Sequence, residues 1–324
     1  MAPTIRRSLV TGLLMTAAWA CSASPAQDLS PPAGDEPGLI ARQTPPVPLL
    51  WKVSDDDNAV YLLGSFHLLR PDDYPLSADV DAAYADAESL MFELSPDEMQ
   101  SADLSSRMTR AAIRTDGNVL REDLDEATWQ KLDDYASRNG LPLVNLSTFE
   151  PWFVALTISL IEMGKQGLDP GLGLDNHFMQ AAAADGKPTV GLEQAQEQID
   201  LLDGMDKQEQ IQFVREVLDE ADAGAAETEK LHAAWRAGDA ATLGNEMAAE
   251  MKREYPRLYQ RINVERNDKW VPRIEQQLSR PGSDDTLVVV GALHLLGADG
   301  VVQKLKAEGY RVERICSACS NSDD

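Results

Sequence analysis

Two of the four histidines in this 324-residue chain lie in nearly identical sequence contexts, far apart along the chain. The segments YLLGSFHLL at 61–69 and LVVVGALHLLG at 287–297 each carry an apolar run, a glycine, two further residues and a histidine. A neutral imidazole can bind a divalent metal ion or accept a proton as a general base. An isolated histidine is more often a packing residue. Because these two are matched in context, we predict that His67 and His294 form a functional site.

Two glutamates occupy the same kind of position, just after a predicted buried strand. Glu93 follows the run SLMF, and Glu193 follows the run KPTVGL. Two imidazoles and a carboxylate are a common ligand set for a divalent metal ion with open coordination positions. We therefore predict a metal site made of His67, His294 and Glu93, with Glu193 as a further ligand or as the partner of a histidine ring. Imidazole with carboxylate suits Mn, Co, Zn or Fe, and the sequence does not select among them.

A further candidate is the pair Arg266-Asn267, which lies in the last part of a long helical region. The guanidinium could stabilise a developing oxyanion, although a solvated helical arginine is the default interpretation. The remaining histidines, His177 and His232, lie in predicted helices among apolar residues. We predict that both serve packing.

These side chains require strands that end at one edge of a sheet. Short apolar runs bounded by glycine are typical of buried parallel strands, and open α/β sheets bind ligands beyond the carboxyl ends of such strands. The predicted fold is α/β, with a mostly parallel central sheet flanked by helices and a long helical insertion, about 205–280, before the last strands. Predicted strands cover Val60–Leu63, Ser89–Phe92, Leu141–Leu146, Lys187–Leu192, Leu287–Val290 and Tyr310–Ile315. Predicted helices outside the insertion cover Leu76–Ala87, Leu124–Asn139, Trp152–Met163, Asp175–Ala184 and Val301–Glu308.

The first residues predict export. Arg6 and Arg7 precede the apolar stretch Leu9–Ala20, which is short for a bilayer span and is followed by small residues, as in a secretory signal peptide. Cys21 keeps a lipid anchor open as an alternative. The predicted location is the periplasm or the outer membrane of a Gram-negative bacterium. The predicted division of the chain is a signal peptide at 1–26, a flexible tether at 27–50, a single α/β domain at 51–316 and a tail at 317–324.

The composition excludes some partners. A formal net charge of −25 and no basic stripe argue against nucleic acid and against an anionic membrane surface. No segment after the leader is apolar enough to predict a transmembrane helix. The expected partner is a peptide or a small-molecule substrate, and the sequence does not define an oligomeric state. Near the C-terminus, Cys316 and Cys319 form a CSAC motif that lacks the strand-to-helix context of a redox site, so we predict a local disulfide.

Several segments, in order, resemble the TraB/GumN family over about residues 51–315. They are GSFH, FELSP, KPTVGLEQAQEQ, ERNDKW and VVVGALHLLGADGVVQKLKAEGYRV. As a set they are far more specific than one GxxH motif. The family's two GxxH motifs, its glutamate, its Leu-Glu block and its Arg-Asn pair fall on Gly64–His67, Gly291–His294, Glu93, Leu192-Glu193 and Arg266-Asn267.

The resemblance implies a function as well as a fold. The family is related to the Tiki proteins, which are described as metal-dependent proteases that use the GxxH histidines and a glutamate. This relation implies a metal-dependent hydrolase, with a peptidase as one form. His67 and His294 would hold Mn, Co or Zn, and Glu93 would complete the ligand set or act as general base. Arg266 would stabilise the oxyanion, with Asn267 orienting it.

Two alternatives stay open. A more distant relation to ChaN-like proteins implies a non-enzymatic protein that binds haem or a metal ion. The relation to erythromycin-esterase-like proteins implies a metal-free hydrolase in which one histidine is the general base. Retention of activity in the presence of a chelator would favour the metal-free hydrolase, whereas visible absorbance without hydrolysis would favour the haem protein.

Overall fold

The structure is a computed structural model that describes residues 44–224 and 226–319. The predicted signal peptide, the candidate lipid-anchor residue Cys21, the tether up to residue 43 and the tail from residue 320 lie outside the described residues. Among the described helices, none is both long enough and apolar enough to cross a lipid bilayer.

The core is a six-stranded sheet, and its strand order decides which chain segments meet. The strands are β1 (Leu50–Ser54), β2 (Ala59–Ser65), β3 (Ala87–Phe92), β4 (Thr189–Gly191), β5 (Asp285–Gly291) and β6 (Arg311–Arg314). In space they are ordered β4-β3-β5-β2-β1-β6. The first four in that order are parallel to one another, whereas β1 pairs antiparallel with both β2 and β6. The prediction of an α/β fold with a mostly parallel sheet is confirmed.

β2 and β5 form the centre of the sheet because both are apolar runs without polar alternation. All seven residues of each strand are buried, as expected for strands that are covered by helices on both faces. Their parallel register pairs Ser65 with Gly291. The two GxxH segments therefore leave the sheet side by side.

Helices cover both faces of the sheet and build most of the chain between β4 and β5. They are α1 (Ala78–Asp86), α2 (Pro96–Met99), α3 (Ala102–Ala112), α4 (Leu120–Asp123), α5 (Glu126–Arg138), α6 (Leu143–Leu146), α7 (Pro151–Lys165), α8 (Leu174–Asp185), α9 (Ala195–Asp203), α10 (Lys207–Ala223), α11 (Ala226–Ala237), α12 (Ala240–Leu243), α13 (Glu250–Glu254), α14 (Pro256–Tyr259), α15 (Glu265–Leu278), α16 (Ala292–Leu295) and α17 (Val301–Ala307). Short 3₁₀ turns cover Pro71–Asp73 and Pro170–Leu172, and π-helical segments cover Gly244–Ala249 and Gln260–Val264.

The helix boundaries follow local capping chemistry. Asp125 accepts a hydrogen bond from the backbone N–H of Thr128 at the start of α5, and the chain after this helix passes through Gly140 at a φ of 66°. At the start of α10, Asp206 and Glu209 form a reciprocal capping box. These signals explain why the predicted helices agree closely with the observed ones.

The strand predicted at Leu141–Leu146 is wrong. Residues Leu143–Leu146 form the short helix α6, and the side chain of Val144 is 72% exposed. The segment connects α5 to α7, where its backbone closes turns onto Pro142 instead of pairing with a strand. A short apolar run does not distinguish a strand from a helix by itself.

The strand β1 was not predicted, although the edge strand β6 beside it was. The segment predicted as a flexible tether, 27–50, ends in ordered structure: Leu49 and Leu50 are buried, and β1 begins at Leu50. At the other end of the chain, Cys316 and Cys319 form the predicted local disulfide.

Candidate functional site

The six predicted site residues lie together at one edge of the sheet. Each histidine and glutamate follows the carboxyl end of one of the four parallel strands, whereas the arginine and the asparagine belong to the first turn of α15. All six side chains are buried. In the order of the strands β4, β3, β5 and β2, the strand-end residues are Glu193, Glu93, His294 and His67, and the two residues from α15 are Arg266 and Asn267.

His67 is paired with an aspartate at the start of α8. Its Nδ1 atom lies 2.5 Å from Oδ2 of Asp175, and the same oxygen accepts a hydrogen bond from the Ser65 hydroxyl at 2.6 Å. An ionised carboxylate can only accept, so Nδ1 carries the proton of the His67 ring. The Nε2 atom is buried and has no hydrogen-bond partner among the residues that the structure describes. The result is an Asp–His pair with one unused ring nitrogen.

The approach of α8 to His67 depends on a glycine. The chain before α8 runs beside the GxxH segment, where Leu69 and Asp169 exchange two backbone hydrogen bonds. Gly173 then meets the backbone of His67 so closely that a Cβ atom would overlap the His67 carbonyl oxygen. Because glycine lacks this atom, α8 can begin where Asp175 reaches the histidine ring.

Arg266 joins the two glutamates. Its Nη2 atom lies 2.5 Å from Oε2 of Glu93 and 2.5 Å from Oε1 of Glu193, and its Nε donates to Oε2 of Glu193 at 3.0 Å. Gln198 donates to Glu193 at 2.5 Å, and the other oxygen of Glu93 accepts the backbone N–H of Gly291 at 2.8 Å. The arginine is therefore a buried, ion-paired residue and not a solvated helical one.

Both ring nitrogens of His294 form hydrogen bonds. Nη1 of Arg266 lies 3.0 Å from Nε2, and Oδ1 of Asn267 lies 2.8 Å from Nδ1. A guanidinium only donates, so Nε2 accepts and Nδ1 donates to the amide oxygen of Asn267. The amide nitrogen of Asn267 donates to the carbonyl oxygens of His294 and Asp299. Asn267 thus orients His294, whereas the sequence predicted that it orients Arg266.

The charges around these groups move their pKa values in opposite directions. Burial would lower the pKa of His67, but the negative charge of Asp175 and its hydrogen bond raise this pKa above its ordinary value. Burial and the positive charge of Arg266 hold the pKa of His294 well below its ordinary value, in agreement with an Nε2 atom that accepts a hydrogen bond from Arg266. Burial raises the pKa of Glu93, against the opposing charge of Arg266. Two histidines in one site therefore differ in protonation chemistry.

A cavity of about 360 Å³ lies on the His67 side of the site. Three of its lining residues are the ionisable residues His67, Glu93 and Asp175, and the remaining wall combines seven apolar residues with four uncharged polar ones. The other lining residues are Phe92, Leu94, Met99, Gln100, Ser101, Ala102, Leu104, Ser105, Pro170, Asn176 and Met179. A small ligand with an apolar group would fill this space beside the Asp–His pair.

Sequence reasoning missed Asp175, Ser65 and Gln198. An aspartate in the first turn of a helix is common because it complements the helix dipole, so Asp175 gave no separate signal. Ser65 and Gln198 lie inside the GSFH and KPTVGLEQAQEQ segments but have residue types that also occur on surfaces. The two remaining histidines pack as predicted: the His177 ring lies 4.7 Å from that of Tyr74, and His232 hydrogen bonds with Asp73 at 2.8 Å.

Within residues 44–224 and 226–319, no three His, Cys, Asp or Glu side chains are arranged as a preformed metal-binding group. The closest approach to one is around Oε1 of Glu93, which lies 3.6 Å from Nε2 of His67 and 4.0 Å from Nε2 of His294. The metal-binding and catalytic roles of these residues stay predictions.

The fold and the site together define a class: an α/β protein whose parallel strand ends present two histidines and two glutamates to an arginine. The model of the TraB/PrgY/gumN family matches residues 49–314, and the chain belongs to this family. It is similar to the uncharacterized protein YbaP of Escherichia coli (strain K12), with 26% identity over 250 residues that cover 76% of this chain and 87% of YbaP. The YbaP of Shigella flexneri matches to the same extent. No solved structure matches the chain.

Proposed function

We propose that this protein is a hydrolase in which Asp175 and His67 form the general base. The observation that carries the proposal is the unused Nε2 atom of His67, which is buried beside a cavity while Nδ1 is fixed by Asp175 at 2.5 Å. A buried ring nitrogen without a hydrogen-bond partner lowers the stability of the folded protein. Its presence here therefore favours a functional role. Proton transfer from water is a function that this arrangement supports.

The protein's own residues supply each proton step. Nε2 of His67 takes a proton from a water molecule as the water attacks the carbonyl carbon of the substrate, and the Asp175 carboxylate stabilises the imidazolium that forms. The imidazolium then returns the proton to the leaving oxygen or nitrogen. Oε1 of Glu93, 3.6 Å from Nε2, accepts the second hydrogen of the water and orients it. Base catalysis of this kind contributes about 10² to 10⁴ in rate.

The cavity indicates the class of substrate. Its volume of about 360 Å³ suits an ester or amide with a small acyl group, including a short peptide, whose apolar part would lie against the Phe, Leu and Met side chains of the wall. Glu93 and Asp175 line the cavity, and none of the described residues that line it is Lys or Arg. An anionic acyl group is therefore disfavoured.

The metal-dependent hydrolase that the sequence predicts is the second candidate. The distances of 3.6 and 4.0 Å from Oε1 of Glu93 to the two imidazoles favour it. The present arrangement does not fit a centre of two histidines and one carboxylate, because the lone pair of His294 Nε2 already accepts a hydrogen bond from Arg266. This candidate requires Arg266 to leave His294.

Hydrolysis in the presence of a chelator separates the two candidates. Wild-type protein would be assayed with 4-nitrophenyl esters of short apolar acids and with the matching acyl-amino-acid anilides, before and after exhaustive treatment with EDTA. The proposal expects an unchanged rate after EDTA treatment. Loss of activity with EDTA, followed by recovery with Mn, Co or Zn, would establish the metal-dependent hydrolase instead. Failure to hydrolyse any of these substrates would contradict the proposed function.

Export to the cell envelope is proposed from residues 1–26. The basic residues, the short apolar stretch and the small residues that follow support a secretory signal. Fractionation of a Gram-negative host that expresses the full chain tests this proposal. Recovery of the protein in the periplasm or with the outer membrane is expected, and recovery in the cytoplasm would contradict it.

A further inference from the structure

The guanidinium of Arg266 lies where four acceptor atoms converge. They are the two oxygens of Glu193, Oε2 of Glu93 and Nε2 of His294, at distances between 2.5 and 3.0 Å from its nitrogens. Nη1 also donates to the carbonyl oxygen of Ile262 at 3.3 Å. Each of its three nitrogens therefore has a partner, and the side chain is only 3% exposed.

The arginine is also fixed from the side. Its guanidinium lies over the Trp270 ring, 4.6 Å from the ring centroid, and the same ring lies 4.4 Å from the centroid of His294. Cation–π contact with tryptophan is strongest when the cation is removed from water, as it is here. Departure of Arg266 from His294 would break these contacts together.

A divalent metal ion and this arginine compete for the same atoms. A metal ion bound by His294 needs the Nε2 lone pair, which Arg266 uses. A guanidinium does not lose its proton in proteins, so the two cations would also repel each other in a buried place. The charge of Arg266 already balances part of the charge of Glu93 and Glu193.

We propose that the guanidinium of Arg266 supplies the positive charge of this site and occupies the place predicted for a divalent metal ion. His294, Glu93 and Glu193 therefore bind a metal ion only when Arg266 is removed. Without the arginine, two buried carboxylates and a neutral imidazole would face one another with no cation between them. A divalent ion would then relieve the cost of the unpaired buried charges. The inference does not depend on hydrolysis, because its test measures metal uptake.

Titration with Co²⁺, followed by visible absorbance and by metal content after desalting, tests the proposal. The proteins are wild type, Arg266→Ala, the double variant Arg266→Ala with His294→Ala, and Arg273→Ala. The last removes another arginine of α15, which donates to the backbone carbonyl oxygen of Leu192 and, within the described residues, to none of the six site side chains. We expect one equivalent of Co²⁺ on Arg266→Ala, and none on wild type, on the double variant or on Arg273→Ala.

Two results would overturn the proposal. The first is one equivalent of metal on wild-type protein that His294→Ala removes, because Arg266 would then not exclude the ion. The second is a folded Arg266→Ala variant that takes up no metal, because the vacated atoms would then not form a site. If Arg266→Ala does not fold, Arg266→Met retains the volume of the side-chain stem and undergoes the same titration. The ¹⁵N signal of His294 Nε2 in wild-type protein is an independent readout, and it should not move when Zn²⁺ is added.

Discussion

Nε2 of His67 and Oε1 of Glu93 lie 3.6 Å apart, although their strands β2 and β3 are separated in the sheet by β5. The contact forms because the end of β5 lies between the two residues and holds the carboxylate in place. The backbone N–H of Gly291 donates a hydrogen bond to the same Glu93 oxygen at 2.8 Å. The histidine and the glutamate are thus brought together by the intervening strand and not by each other. A buried polar pair of this kind, beside a cavity, is where we place the attacking water.

Asp175→Asn should reduce hydrolysis by about a hundredfold or more, because the imidazolium of His67 loses the charge that stabilises it. The pH profile should also change. Burial lowers the pKa of His67 and Asp175 raises it, with a net increase. The neutral, active base is therefore populated above the raised pKa, and loss of the aspartate charge should move the rising limb of kcat/KM to lower pH.

Asp185→Asn is the matched control for this prediction. Asp185 lies at the other end of α8, where it accepts a hydrogen bond from the exposed Tyr84 hydroxyl. Its substitution should leave both kcat/KM and the pH profile unchanged. An Asp175→Asn variant with the wild-type profile would show that the aspartate does not act on His67.

Glu93→Gln should lower both stability and activity. The amide nitrogen of glutamine would face Nη2 of Arg266, so two donors would meet where a donor and a carboxylate now lie 2.5 Å apart. We expect a loss of about 1–3 kcal/mol in the free energy of unfolding, measured by urea denaturation. Glu88→Gln, exposed on the same strand, keeps an amide oxygen that can still accept the Asp285 backbone N–H, so it should change the free energy of unfolding by less than about 0.5 kcal/mol. If Glu93→Gln and Glu88→Gln lowered the free energy of unfolding equally, the buried contact between Glu93 and Arg266 would be contradicted as a source of stability.

Gly173→Ala should separate Asp175 from His67. The added methyl group overlaps the carbonyl oxygen of His67, which is part of the backbone and moves only with the GxxH segment. The expected results are a loss of about 1–3 kcal/mol in the free energy of unfolding and a fall in kcat. Gly164→Ala, a helical position with open space around its Cβ, should be neutral or stabilising by about 0.4–1 kcal/mol. A Gly173→Ala variant with wild-type stability and kcat would show that the close contact between Gly173 and the His67 backbone does not position Asp175.

The pH dependence of stability should contain a contribution from Asp73, outside the site. Asp73 is fully buried, accepts hydrogen bonds from the Arg70 backbone and from His232, and pairs with Arg236. Burial raises its pKa, but these partners lower it below the ordinary value of 3.8. The stabilisation is fully present above pH 3.8 and is lost as the pH falls through the lowered pKa.

Asp73→Asn should therefore cost about 3–5 kcal/mol at pH 7, and its difference from wild type should shrink at the acid end of a series of urea denaturation curves. Asp72→Asn, the exposed neighbour in the same 3₁₀ turn, should follow the wild-type curve. A constant difference between Asp73→Asn and wild type down to the acid limit would contradict the coupling of this carboxylate to folding.

The strand ends of the site were predictable because each is an apolar run followed by a polar residue. Parallel strands bring such residues to one edge, so His67, Glu93, Glu193 and His294 meet as the pattern implies. The segment Leu141–Leu146 is also mostly apolar, but it contains Pro142, which precedes the helix that Leu143–Leu146 form. Periodicity alone did not separate these cases.

The partners of the site residues were less predictable. Asp175 comes from a helix that reaches His67 through a glycine contact between distant segments, and the hydrogen bonds of Arg266 join three strand ends to α15. These contacts depend on packing between elements, which the sequence pattern does not encode locally. For that reason the sequence did not indicate that Arg266 hydrogen bonds His294 and pairs with both glutamates.

The role of His67 as the general base is tested most directly by the kcat/KM of His67→Ala, measured with and without added imidazole on the best ester found for wild-type protein. We expect a loss of about 10² to 10⁴ and partial recovery with imidazole, which replaces the missing base from solution. His177→Ala, which removes a packing histidine, should keep wild-type activity. A His67→Ala variant as active as wild type, or one whose lost activity returns with a metal ion but not with imidazole, would contradict the assignment of His67 as the general base.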